Sequence, residues 1–304
     1  MNSLKKVLLI TATFLISFPS FSQTQHEIQL KDGVIHYEVF GEGTPILVIN
    51  GGPGMNSEGF RSLAALIGEK HQAFIYDQRG TGKSKITAIN RSTITIDAMV
   101  KDIEILRKHL GVKKWIVFGH SFGGMLASYY ATKHSEYISG LILSSSGGIN
   151  MDLFNSLSLT SRLNQKNRDS LNYWASKIAQ GDTSYKTRLQ RGKYLAPAYL
   201  YDQSHVPAVA HRLTQGNLQI NALVFQSMRA ISFDCSKELT QFNKPVLIIQ
   251  GIHDIIPQKI SKYAHKVFPN STLKIIEKSA HYAWLEQPDK YFSTLFSFTK
   301  KIVF

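Results

Sequence analysis

A succession of short, nearly continuous apolar runs, at residues 28–30, 34–40, 46–49, 73–76, 115–118, 138–143, 246–249 and 273–276, sets the main limit on the fold. Runs of this length without polar alternation are how strands buried on both faces of a parallel sheet read. Between them the spacing turns helical: Ile96, Met99, Val100, Ile103, Leu106 and Leu110 recur at helical intervals, with Gly111 as a stop signal. The first two runs flank Lys31-Asp32-Gly33, whose Asp-Gly step suits a tight hairpin turn. An opening hairpin followed by strand–helix units predicts an α/β chain with a mostly parallel sheet covered by helices.

The alternation stops between residues 147 and 240, a stretch rich in Ser, Asn, Gln, Arg and Tyr, and resumes only at Pro245. About 90 residues is far longer than an ordinary crossover. The stretch therefore reads as a helical cap, residues 147–240, inserted after the sixth strand of a catalytic domain formed by residues 23–146 and 241–304. Residues 1–22 read as a signal peptide: Lys5 and Lys6 precede the apolar run 7–18, and Pro19 leads into the small-residue pattern Ser20-Phe21-Ser22. The run is short for a bilayer span, which favours cleavage over an uncleaved anchor. The expected location is periplasmic or extracellular, with no membrane span left after cleavage. The sole cysteine, Cys235, has no partner for an internal disulfide and reads as a buried small hydrophobe.

The chemistry concentrates at Gly119-His120-Ser121-Phe122-Gly123-Gly124, between the apolar run 115–118 and the helical run 125–131. A strand-to-helix elbow of this kind holds a serine in a strained turn with its hydroxyl exposed at the helix N-terminus. Such a serine needs a base, and the base an orienting carboxylate. Asp254 follows the run 246–249 and His281 follows 273–276, so both fall at the carboxyl edge of the sheet beside Ser121, in the chain order Ser, Asp, His. His253, adjacent to Asp254, is the alternative base. The oxyanion of acyl transfer needs two backbone donors, read here as the N–H of Phe122 and that of Gly52 in Asn50-Gly51-Gly52-Pro53-Gly54.

Other chemistries fit less well. The segment 77–84 ends in Gly-Lys-Ser, but Asp77 stands where a phosphate-binding loop needs its first glycine, so the segment reads as a turn braced by Asp77 and Arg79. The histidines show no metal-ligand spacing, and no cofactor is expected. The formal charge of +14 comes from 35 Lys+Arg against 21 Asp+Glu, yet it forms no basic run or aromatic-interleaved stripe of a nucleic-acid binder. The expected partner is a small molecule or short peptide.

These motifs resemble those of the α/β-hydrolase fold family, and within it the prolyl aminopeptidase (proline iminopeptidase) branch. Gly51 to Met55 is similar to that branch's HGGPG-type loop, with Asn50 in place of its histidine; residues 77–84 match its DQRGxGxS segment, and residues 119–124 its elbow. The resemblance implies Ser121, Asp254 and His281 as the triad and release of N-terminal residues, often proline, from short peptides without a cofactor. Aminopeptidases of this branch hold the substrate ammonium with acidic residues, for which Glu58, Asp202 and Asp234 are the candidates. Residues 151–240 carry eleven Lys and Arg against six acids, so an esterase or lactonase on small acyl substrates is the alternative. A non-catalytic ligand-binding protein of the same fold is the other.

Overall fold

The computed structural model describes residues 24–152 and 158–303; the signal peptide read at residues 1–22 lies outside them. Among the described residues, nine strands form one sheet: β1 (Thr24–Leu30), β2 (Gly33–Phe40), β3 (Pro45–Ile49), β4 (Gln72–Tyr76), β5 (Lys85–Ile86), β6 (Trp115–His120), β7 (Ile138–Ser144), β8 (Val246–Gly251) and β9 (Ser271–Ile276). Their order is β1-β2-β4-β3-β6-β7-β8-β9, with β5 pairing β2. The hairpin β1–β2 is antiparallel, as are β2–β4 and β2–β5, and every pairing from β4 through β3 to β9 is parallel. The two-residue β5 carries too few apolar positions to register as a run in the sequence.

Period-two alternation sends neighbouring side chains of each strand to opposite faces. Leu47, Ile49, Trp115 and Val117 pack on one face, over which lie α2 (Ile96–His109) and α3 (Phe122–Lys133). Ile46, Val48, Ile116 and Phe118 pack on the other, with α1 (Arg61–Gly68). This two-sided burial is why the strands read as continuous apolar runs. Helix α2 begins where the Thr95 side chain accepts from the N–H of Ala98, and its last turn carries Arg107, Lys108 and His109, which complement the helix dipole.

Between β7 and β8 the described residues form α4 (Gln165–Ala179), α5 (Tyr185–Leu195), α6 (Val206–Arg212), α7 (Leu218–Ala230) and α8 (Ser236–Leu239) and no strand. After β8 come α9 (Gln258–Val267), then, beyond β9, α10 (Ala283–Glu286) and α11 (Pro288–Thr299). Among the described residues, no helix is long and apolar enough to cross a membrane.

The segment 77–84 is a turn leading into β5 rather than into a helix, and of the two expected braces Asp77 holds the turn while Arg79 does not. Asp77 accepts from the N–H and hydroxyl of Ser57 and from the N–H of Lys83. Arg79 turns away to Asp102 of α2, donating from Nε and Nη2 at 2.7 and 2.6 Å, and to the carbonyl of Thr93. The fork of a guanidinium matches a carboxylate two-to-two, which Asp102 offers.

Candidate active site

Strand β6 runs straight into α3 through Ser121, whose backbone sits at φ 54°, ψ −119°. A non-glycine residue there carries strain that the surroundings must hold in place. They do so by backbone bonds: the N–H of Ser121 donates to the carbonyl of Ser144, and the Ser121 carbonyl accepts from Gly124 and Gly147. Close approach completes the turn. A Cβ on Gly123 would lie 2.2 Å from the Ile49 carbonyl oxygen, so only glycine lets α3 start against β3.

His281 follows β9 and Asp254 follows β8. His281 Nδ1 lies 2.8 Å from Asp254 Oδ1, and both side chains are almost wholly buried. Asp254 Oδ1 also accepts from the N–H of Ile256. A carboxylate on Nδ1 assigns the proton to that nitrogen and leaves Nε2 with its lone pair. His120 sits beneath, its ring centroid 4.6 Å from that of His281 and its Nε2 3.0 Å from the His281 carbonyl. Burial, reinforced by the nearby His281, holds the His120 pKa well below the ordinary histidine value. His120 is thus a neutral packing residue. His253 is exposed, stacked on Tyr201 at 4.8 Å.

Ser121 and His281 line one cavity of about 310 Å³, together with Gly52, Phe122, Tyr199, Arg212 and Tyr282 and an apolar wall that includes Met125, Leu213, Phe225 and Ile255. Gly52 has φ 71°, and its carbonyl accepts from the N–H of Met55, closing the turn after β3. The structure therefore brings Ser121, His281, Gly52 and Phe122 to one space, with Asp254 behind His281. A groove of about 510 Å³ at the amino edge of β8 and β9, among Pro245, Asn270, Lys274 and Lys301, has no His, Asp or Glu among the described residues that line it.

The three acidic candidates lie elsewhere. Glu58 faces outward near His211, 3.6 Å away, and accepts from Gln215. Asp202 and Asp234 each accept from the N–H two residues on, of Ser204 and Ser236, and serve as turn caps. Among the described residues lining the cavity there is no Asp or Glu.

Side chains without a recognisable sequence signal tie the segment between β7 and β8 to the loops of the site. Arg212 donates to the carbonyls of Gly51 and Asn56, and Asn221 to that of Pro53. Arg162 donates to the carbonyls of His253 and Asp254. The N–H of His281 donates to the carbonyl of Tyr199. No local pattern marks these residues, because each partner is a backbone carbonyl distant in sequence.

The alpha/beta hydrolase fold family model matches residues 44–288. Among curated proteins, the chain is 27% identical over 276 residues to a proline iminopeptidase of Saccharolobus solfataricus, covering 88% of each. It is 26% identical over 292 residues to one of Clostridioides difficile, covering 90% of this chain and 96% of that one. Among solved structures, an alpha/beta fold family hydrolase from Bacillus anthracis str. Sterne superposes with a TM-score of 0.75 at 24% identity, over 90% of this chain and 99% of that one.

Proposed function

The chain belongs to the α/β-hydrolase fold family, and on that premise we propose that it is an exported serine hydrolase that cleaves small acyl esters or amides through an acyl-enzyme. One observation carries the reading: a strained serine and a carboxylate-backed histidine open onto the same cavity. In this mechanism Ser121 Oγ attacks the substrate carbonyl while His281 Nε2 takes its proton. The carbonyl π pair moves to oxygen, and the N–H groups of Gly52 and Phe122 stabilise the oxyanion. Collapse expels the alcohol or amine, which takes the proton from His281. Water, deprotonated in turn by His281, then releases the acid and restores Ser121. Asp254 keeps the imidazole oriented and compensates the imidazolium.

For the substrate, a cavity whose described lining has apolar walls and no carboxylate supports a neutral or anionic acyl group over a free ammonium, which would need a counter-charge when desolvated. A second reading, an aminopeptidase releasing N-terminal proline-type residues, is supported by the relatives named proline iminopeptidase and by the motifs around Gly51 and Asp77. Turnover of short-chain para-nitrophenyl esters beside proline and alanine naphthylamides separates the two. Efficient ester cleavage with no naphthylamide cleavage is expected; the reverse pattern would replace the acyl reading by the aminopeptidase one.

A further inference from the structure

The buried arginines of this chain are treated unequally. Arg79 is forked onto Asp102 and Arg107 onto Glu104, and the more exposed Arg61 is forked onto Glu38. Arg212, at the end of α6, is 4% exposed, and its partners are all neutral: the carbonyls of Gly51 and Asn56, the side-chain oxygen of Gln215, the side chain of Tyr282, and the face of Phe60 at 4.7 Å. Glu58 influences it only at a distance and is itself engaged by His211 and Gln215. Burial accordingly draws the Arg212 pKa below its ordinary value, though a guanidinium stays charged.

A desolvated cation without a counter-charge is held at a cost that an anion can relieve. Arg212 lines the cavity that Ser121 and His281 share, and the described lining supplies no negative group. We propose that the missing counter-charge comes from the substrate: the cavity takes an acyl compound bearing a carboxylate, which pairs with Arg212 while its ester or amide carbonyl meets Ser121. This rests on the serine-hydrolase reading above and narrows its substrate class. The neutral contacts of Arg212 hold the fork in place, so that the anion meets a preorganised donor rather than a mobile side chain.

The test compares two esters that differ only in charge, mono-para-nitrophenyl glutarate and its methyl ester. For the wild type, kcat/KM is expected to be about tenfold or more higher for the free acid, chiefly through KM, as a charge-assisted contact supplies. Arg212→Met should bring the ratio close to one, and Arg212→Lys should keep part of it. Because Arg212 also pins the loop at Gly51, a measurement on the wild type alone runs alongside: glutarate should slow labelling of the protein by a fluorophosphonate, and neutral glutaramide should not. Equal turnover of both esters with equal protection by both compounds would overturn the anionic subsite and leave the hydrolase reading standing. Absence of both labelling and turnover would overturn the two together.

Discussion

Glu286 accepts a 2.6 Å hydrogen bond from the backbone N–H of Ala280, the residue before His281, while its other oxygen accepts from the N–H groups of Tyr201 and Asp202. One buried carboxylate thus joins the loop that carries the proposed base to the segment between β7 and β8. Its loss strands three backbone donors, each costing about 1–3 kcal/mol if left unpaired in the interior. Glu286→Ala should lower the free energy of unfolding by roughly 2–5 kcal/mol after relaxation and hydration, measured by urea denaturation. Glu286→Gln, which keeps one carbonyl oxygen but turns an amide donor toward an N–H, should fall between it and the wild type.

The elbow admits no added carbon at Gly123. A Cβ there would meet the backbone oxygens of Ile49, the last residue of the central strand β3, and of Asn50, neither of which is the movable end of a side chain. Gly123→Ala should therefore destabilise the fold by about 2–4 kcal/mol, as severe overpacking does, and displace Ser121 as well. A melting temperature within about a degree of the wild type, with unchanged ester turnover, would show that the elbow has more room than these distances allow.

Acid should weaken the protein through two histidines, the buried His120 and the half-buried His71. His120 and His71 both have pKa values held down, His120 by burial and the neighbouring His281, His71 by burial and Lys70. Below about pH 6.5 the unfolded chain takes up protons that these folded side chains refuse, so the stability present above that value is lost as pH falls. Unfolding free energies at about pH 7.5 and about pH 5.5 should differ by on the order of 1–2 kcal/mol. Replacing His120 by Asn should reduce that difference.

Cys235 should be chemically silent. It is buried, and burial together with Glu238 and Asp234 pushes its thiol well above the usual range, so almost no thiolate exists at neutral pH. Iodoacetamide should leave it unmodified in the native protein and alkylate it fully in denaturant, as intact mass would record.

The parts of the molecule legible in the sequence are those whose physics is local. The strands announce themselves because both faces are buried, and Ser121 because a strained turn between strand and helix needs glycines at 119 and 123. Asp254 and His281 follow from where their strands end. Asp77 braces its turn through the N–H of Lys83 inside the segment, but the partner of Arg79, Asp102, looks like any polar residue on a helix until tertiary packing buries it. Asp202 and Asp234 carry a local signal that points away from substrate: an Asp with Ser two residues on is a turn cap. Arg212 and Glu286 carry no signal at all, since their partners lie far off in the chain, and what sets them apart is the charge each one lacks or supplies in the interior.

Intact-mass analysis after treatment with a fluorophosphonate reads whether Ser121 is the nucleophile. A single adduct on the wild type, mapped to the peptide containing Ser121 and absent from Ser121→Ala, is the predicted result. No adduct on folded wild-type protein, or an adduct that persists in Ser121→Ala, would contradict it.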